Sequence, residues 1–107
     1  MTRDLLSHLY DIVSSRRTAD PETSYVAKLL GWGRAKIAQK IGEEGVETAL
    51  AAVSQDKAAI ISESADLLFH LAILWADAAI SPQEIAAELA RREGQSGLAE
   101  KAQRPKE

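Results

Sequence analysis

Between Asp56 and about Ala79 the chain carries a stretch whose apolar residues leave almost no polar face. At about 100° per residue, Ile60, Ile61, Leu67, Leu68, Phe69, Leu71, Ile73, Leu74 and Trp75 spread over most of the circumference of a helix. A helix of this kind is buried nearly all round. The exception is a stripe about 60° wide that holds Glu63, Asp66, His70 and Asp77. A polar stripe on a buried helix is costly unless it meets partners. The rest of the chain must therefore bring partners to it.

The preceding segment is placed to do so. Ser54-Gln55-Asp56 reads as a tight connection, with Asp56 as the N-cap of the apolar helix. Short connections make antiparallel neighbours. Before the connection, a helix from about Arg34 to Val53 carries Glu43-Glu44-x-x-Glu47. Glu47 lies about two turns before residue 54 and Glu63 about two turns after it, so the acid groups share a height. On this helix Ile37, Ala38, Ile41, Val46, Ala49, Leu50 and Val53 cover one broad arc, and the opposite strip holds Lys36, Lys40, Glu43, Glu44 and Glu47. Glu44 falls at the border of the arc, half inside the core.

The punctuation elsewhere gives three more helices. The first runs roughly from Thr2 to Arg17, with Leu5, Leu9, Ile12 and Val13 at helical spacing. Asp20-Pro21 reads as an N-cap and first-turn proline opening a short helix with Tyr25, Val26, Leu29 and Leu30. Gly31-Trp32-Gly33 breaks or kinks it. Ser81-Pro82-Gln83-Glu84 combines a capping box with a first-turn proline, and Gly94 ends the helix that starts there. The expectation is an all-α bundle of four to five helices in one domain, residues 1–94, with a polar tail over 95–107. A 107-residue chain buries a limited core, so oligomerisation is a reasonable expectation. The chain has no cysteine, which excludes disulfides and thiolate metal sites and fits a reducing, cytoplasmic setting. A net charge of −3 argues against a general nucleic-acid binder. The N-terminus lacks a signal-peptide apolar core, and no apolar stretch approaches the roughly 20 residues of a membrane span, so no membrane partner is expected.

Glu44/Glu47 and Glu63/Asp66 are i,i+3 pairs, each on one helix face. Turned toward each other, they make a four-carboxylate pocket. Such all-oxygen sites suit Mg²⁺, or Mn²⁺, rather than zinc, and the usual reason to hold Mg²⁺ this way is to grip a substrate's phosphates. An isolated EExxE is more often a solvated helix face. The acids on the apolar helix tip the balance, because charges in such a setting are seldom idle. His70 alone is more often a hydrogen-bonded core histidine; a substrate contact, or a supporting bond near Asp66, is the functional alternative. Lys36 and Lys40 share the acid strip, which favours phosphate contact over an ordinary surface role. Trp32 and Trp75 read as packing residues rather than base-stacking ones. Asp77 reaches the helix end and solvent.

The run Ser24-Tyr25-Val26-Ala27-Lys28-Leu29-Leu30, then Gly33, then Lys36 to Glu47 (KIAQKIGEEGVE), then Glu63 to His70 (ESADLLFH), closely resembles the phosphoribosyl-ATP pyrophosphohydrolase family. That family belongs to the MazG-like all-α nucleoside-triphosphate pyrophosphohydrolases, marked by EExxE followed by ExxD. The resemblance covers about residues 5–93; the acids alone point only to the superfamily. It implies hydrolysis between the α and β phosphates of N1-(5-phosphoribosyl)-ATP to phosphoribosyl-AMP and pyrophosphate, the second step of histidine biosynthesis. By matched position Glu44, Glu47, Glu63 and Asp66 would ligate Mg²⁺. Lys36 and Lys40 would bind the leaving pyrophosphate or the 5′-phosphate, and Glu43 would orient or deprotonate water. A homodimer completing the bundle core is implied too. The alternative is a housecleaning enzyme acting on noncanonical nucleoside triphosphates. Gly45 stands where alanine is common, a departure that leaves the acids in place.

Overall fold

The computed structural model describes residues 4–93. Among them are five helices and no strand: α1 (Leu5–Ser15), α2 (Tyr25–Trp32), α3 (Arg34–Ser54), α4 (Lys57–Ala78) and α5 (Pro82–Arg91). The fold is all-α, as expected. Thr2, Gly94 and the 95–107 tail lie outside the described residues; α5 itself stops at Arg91, before Gly94.

Local chemistry explains most of the boundaries. Asp4 caps α1 by accepting from the Ser7 N–H. Asp56 caps α4, accepting from the amides of Ala58 and Ala59. The α5 capping box is complete: Ser81 accepts from the Glu84 N–H, and the Glu84 carboxylate accepts from the Ser81 N–H. Asp20-Pro21 does not start a helix. The Asp20 carbonyl accepts from the amides of Thr23 and Ser24 in a turn, its side chain accepts from Glu22, and Ser24 caps α2 through the Ala27 N–H. Asp20 satisfies its own turn, so it is not available as a cap, and a better-spaced hydroxyl follows. Gly33, at φ 100°, makes the break between α2 and α3; Gly31 and Trp32 remain helical.

Gly33 folds α2 back beside α3, and the Gln55 turn folds α4 back against α3. Gln55 itself takes φ 61°. Thr48 stitches the α3–α4 pair at mid-height: its hydroxyl lies 2.7 Å from the Glu44 carbonyl and 3.3 Å from that of Glu63. Arg34 at the start of α3 reaches Asp77 near the end of α4 at 2.5 Å. Asp77 is thus paired rather than left to solvent. Arg17 donates to the Ala76 carbonyl, tying the α1–α2 connection to the last turn of α4.

The core sits at one end of the hairpin. Val13, Val26, Leu29, Ile37, Ile73 and Ala76 are buried there, with Trp75. The other end is uncovered. Val46, Leu50, Val53 and Ile61 are 60%, 62%, 78% and 62% exposed. This corrects two sequence expectations. Within one chain α4 is buried over its second half only, and the apolar arc of α3 meets cover only near Ile37 and Ile41. The reason is length: at 1.5 Å per residue these helices of 21 and 22 residues outrun α2 and α1, of 8 and 11. A further correction concerns membranes. Among the described residues α4 is the one helix long and apolar enough, by length and composition, to cross a bilayer. Its acids and His70 are turned toward α3 and α2, as suits the central helix of a bundle.

Candidate active site

The hairpin brings the two acid groups together. Carboxylate oxygens of Glu44, Glu63 and Asp66 lie within 4.8 Å of one another. Glu44 comes from the border of α3 facing α4 and is half-buried, as its wheel position implies. Glu47, one turn further along α3, approaches both Glu44 and Glu63. Burial raises the carboxyl of Glu44 above its ordinary range; contact with Glu47 and the charges of Glu47 and Asp66 add to this, while His70 opposes it. Glu63 is raised in the same way, by burial first and then by Glu47 and Asp66. One carboxylate oxygen of Glu44 and one of Glu63, both Oε2, are shut from solvent without a hydrogen-bond partner. Converging acids with orphaned, buried oxygens are a donor set for a hard divalent cation.

Glu43 stands outside this group. It is exposed, accepts from Gln39 Nε2 at 2.8 Å and pairs with Lys40 at 3.4 Å. Those two neighbours hold its carboxyl below the usual carboxylate range.

His70 is 6% exposed. Its Nδ1 lies 2.7 Å from the Asp66 carbonyl and its Nε2 2.7 Å from the Tyr25 hydroxyl. A carbonyl only accepts, so Nδ1 carries the hydrogen; in a neutral ring Nε2 then accepts from Tyr25. Both nitrogens are engaged within the protein, which matches the reading of a hydrogen-bonded core histidine. Phe69 and Tyr25 meet the ring edge-on at centroid distances of 5.8 and 5.5 Å.

Tyr25 was not singled out by the sequence. It sits eight residues before Gly33, and Glu44 eleven after it, so the fold-back of α2 sets the two side by side. Burial raises the Tyr25 phenol above its ordinary value; Lys40 opposes this, while Glu44, Glu43 and Asp66 reinforce it. The available signal was helical spacing. Tyr25, Lys28 and Trp32 stand at i, i+3 and i+7, on one face of α2. Of the two tryptophans, Trp75 is packed as expected, whereas Trp32 is 56% exposed. The ammonium groups of Lys28 and Lys36 lie 6.0 and 5.5 Å from its ring centroid.

Fold and site together define a class: an all-α bundle whose central antiparallel hairpin carries an inter-helix carboxylate site. Comparison with known proteins places the chain within it. The chain belongs to the phosphoribosyl-ATP pyrophosphohydrolase family, whose sequence profile matches residues 6–93. Membership of that family makes the chain an enzyme. It is 61% identical to the phosphoribosyl-ATP pyrophosphatase of Azospirillum brasilense over 97 residues, 91% of this chain and 87% of that protein. It is 54% identical to the protein of the same name from Gluconobacter oxydans, over 96% of this chain and 77% of that one. With the phosphoribosyl-ATP pyrophosphatase of Zymomonas mobilis it shares 53% identity over 99% of each chain.

Proposed function

We propose that this chain hydrolyses the α–β phosphoanhydride of N1-(5-phosphoribosyl)-ATP, releasing phosphoribosyl-AMP and pyrophosphate, as the second step of histidine biosynthesis in the cytoplasm. The observation that carries the reading is the Glu44–Glu63–Asp66 group with its two orphaned oxygens, in a chain of this family. Glu44, Glu47, Glu63 and Asp66 would hold Mg²⁺, with Mn²⁺ as a substitute. The ion would supply charge neutralisation at the bridging and leaving oxygens without proton transfer.

The side chains around the acids divide the remaining work. Lys40, between Tyr25 and Glu43, offers a cation to the departing pyrophosphate. Glu43, kept ionised by Gln39 and Lys40, orients the attacking water by accepting one of its hydrogens. His70 locks the α4 turn that carries Asp66, and Tyr25, having given its hydrogen to His70, keeps its oxygen free to accept from substrate or water. The active unit is a homodimer. The exposed apolar side chains of Val46, Leu50 and Val53 on α3, and of Ile61 on α4, support this, since exposed apolar surface of this kind marks an interface.

The test is pyrophosphate release from phosphoribosyl-ATP with and without Mg²⁺, against a panel of noncanonical and ordinary deoxynucleoside triphosphates. Turnover should require the metal and favour phosphoribosyl-ATP. A marked preference for the deoxynucleotides would point instead to a housecleaning enzyme. Glu44→Gln and Asp66→Asn should each cost about 100-fold or more in kcat, since metal-centred stabilisation is worth several kcal/mol at about 1.4 kcal/mol per decade. Their helical circular dichroism should remain. Full activity in both variants would refute the site.

A further inference from the structure

The exposed face of α2 holds an arrangement that the acid site does not use. Trp32 is 56% exposed although it is one of the largest apolar side chains in the protein. Two cations converge on its ring: Lys28, one turn earlier on α2, and Lys36, across the Gly33 break on α3. Like charges gathered at one ring repel each other, and the ring's negative face offsets part of that cost. Lys36 Nζ otherwise lies 3.5 Å from the Gln39 side-chain oxygen. Neither ammonium forms an ion pair with a carboxylate among the described residues, in contrast to Lys40, which is tied to Glu43. The result is a pair of positive charges beside an exposed aromatic surface, a setting suited to a phosphomonoester on a sugar.

Its position matters as much as its chemistry. Tyr25, Lys28 and Trp32 share one face of α2, with Tyr25 beside Glu44 and Trp32 at the far end. Along α3, Lys36 lies about 12 Å before Glu44 at 1.5 Å per residue. Acids, Lys40, Tyr25, then Lys28, Lys36 and Trp32 thus form a track, negative at one end and positive at the other. The substrate of the proposed reaction has phosphate at both ends. Its polyphosphate arm belongs at the acids; the phosphoribosyl group on the opposite edge of the purine carries a 5′-phosphate that ordinary nucleoside triphosphates lack.

We propose that Lys28, Lys36 and Trp32 form the subsite for the 5′-phosphoribosyl group of the substrate, and so the part of the site that distinguishes it from a plain nucleoside triphosphate. The proposal rests on the phosphoribosyl-ATP reading. It adds Lys28 and Trp32 to the binding residues and gives Lys36 the distal phosphate and Lys40 the leaving one.

The experiment separates the two readings. Trp32 and Trp75 are the only tryptophans of the chain, and Trp75 is buried, so fluorescence changes on adding ligand report on Trp32. Ribose 5-phosphate titrated into the whole protein should quench or shift the emission, and Trp32→Phe should abolish the response. Affinities for phosphoribosyl-AMP and AMP are then measured by calorimetry in the wild type, Lys28→Ala and Trp32→Ala. The preference for phosphoribosyl-AMP over AMP should fall about tenfold or more in Lys28→Ala, the size of one lost charge-assisted phosphate contact. With phosphoribosyl-ATP the loss should appear in KM rather than kcat. If the wild type turns over phosphoribosyl-ATP while both variants retain its preference, the subsite is wrong and the enzyme reading stands. If ribose 5-phosphate leaves the fluorescence unmoved, or if the Trp32 variants change the molecular mass in solution, the face has another use and the proposal falls. Failure of the wild type on phosphoribosyl-ATP would overturn the enzyme reading itself.

Discussion

Glu44 and Glu63 show how a hairpin converts ordinary glutamates into a site. Alone on a helix, each would be a solvated acid with a normal titration. Together, each holds its proton more tightly in the folded chain than the ordinary value of 4.5, chiefly because burial penalises the charge. The pH dependence follows. The stabilising contribution of a raised acid is fully present below the unfolded value and is lost as pH rises through the folded one. With chelator present, thermal stability contributed by this pair should therefore decline from about pH 4.5 toward neutrality, because the buried acids must ionise. A divalent cation prefers the ionised acids, so Mg²⁺ should raise the melting temperature most at the upper end of that range. Melting curves with EDTA and with Mg²⁺, for the wild type and Glu63→Gln, would check this. The metal effect should shrink in the variant, and a Mg²⁺ response equal in both would count against Glu63 as a ligand. Gly45, beside these acids, has open space where a Cβ would stand; the departure from the family pattern does not disturb the site.

At the scale of the element, the α3–α4 turn sets the register that the acids depend on. It places Gln55 in the left-handed region at φ 61°, a conformation that costs a side-chain-bearing residue about 1–2 kcal/mol. Gln55→Gly should stabilise the fold by about 1 kcal/mol without moving the acids, read as a higher urea midpoint with unchanged slope. On the other side of the turn, Asp56 satisfies two amides of α4. Asp56→Ala should cost about 1 kcal/mol in the same assay. Thr48 then fixes the height at which the helices meet, through the carbonyls of Glu44 and Glu63. α2 depends on a different device: Gly33, at φ 100°, lets the chain reverse so that Tyr25 reaches His70.

The whole molecule leaves the distal half of the hairpin uncovered. Val46, Leu50 and Val53 repeat at i, i+4 and i+7 on α3, with Ile61 exposed on α4 beyond the turn. An 11.6 kDa chain has no further helix among its described residues to cover them. A second copy would, and the proposed homodimer predicts that Leu50→Glu or Val53→Glu lowers the mass measured by light scattering toward that of one chain. Alanine in place of Glu88, on the far side of the bundle and bonded to Arg91 and Arg92, should not. A wild type that runs as a monomer would remove the dimer from the proposal.

The amino-acid sequence by itself determined the five helices, the antiparallel hairpin and the equal height of the two acid groups. These follow from local signals: caps at Asp56 and Ser81, a short turn, and apolar spacing along α3 and α4. Family membership was legible for a similar reason, since its motifs are short runs within single helices. Three things were decided only by the tertiary structure. Asp20-Pro21 became a turn because Ser24 was better placed to cap. The all-round apolar character of α4 gave only half a core, because periodicity records which face is apolar and not whether this chain is long enough to cover it. Tyr25 came to lie beside the acids and His70 because Gly33 folds α2 back along α3, and no spacing in one dimension states where a chain will lie once it has reversed.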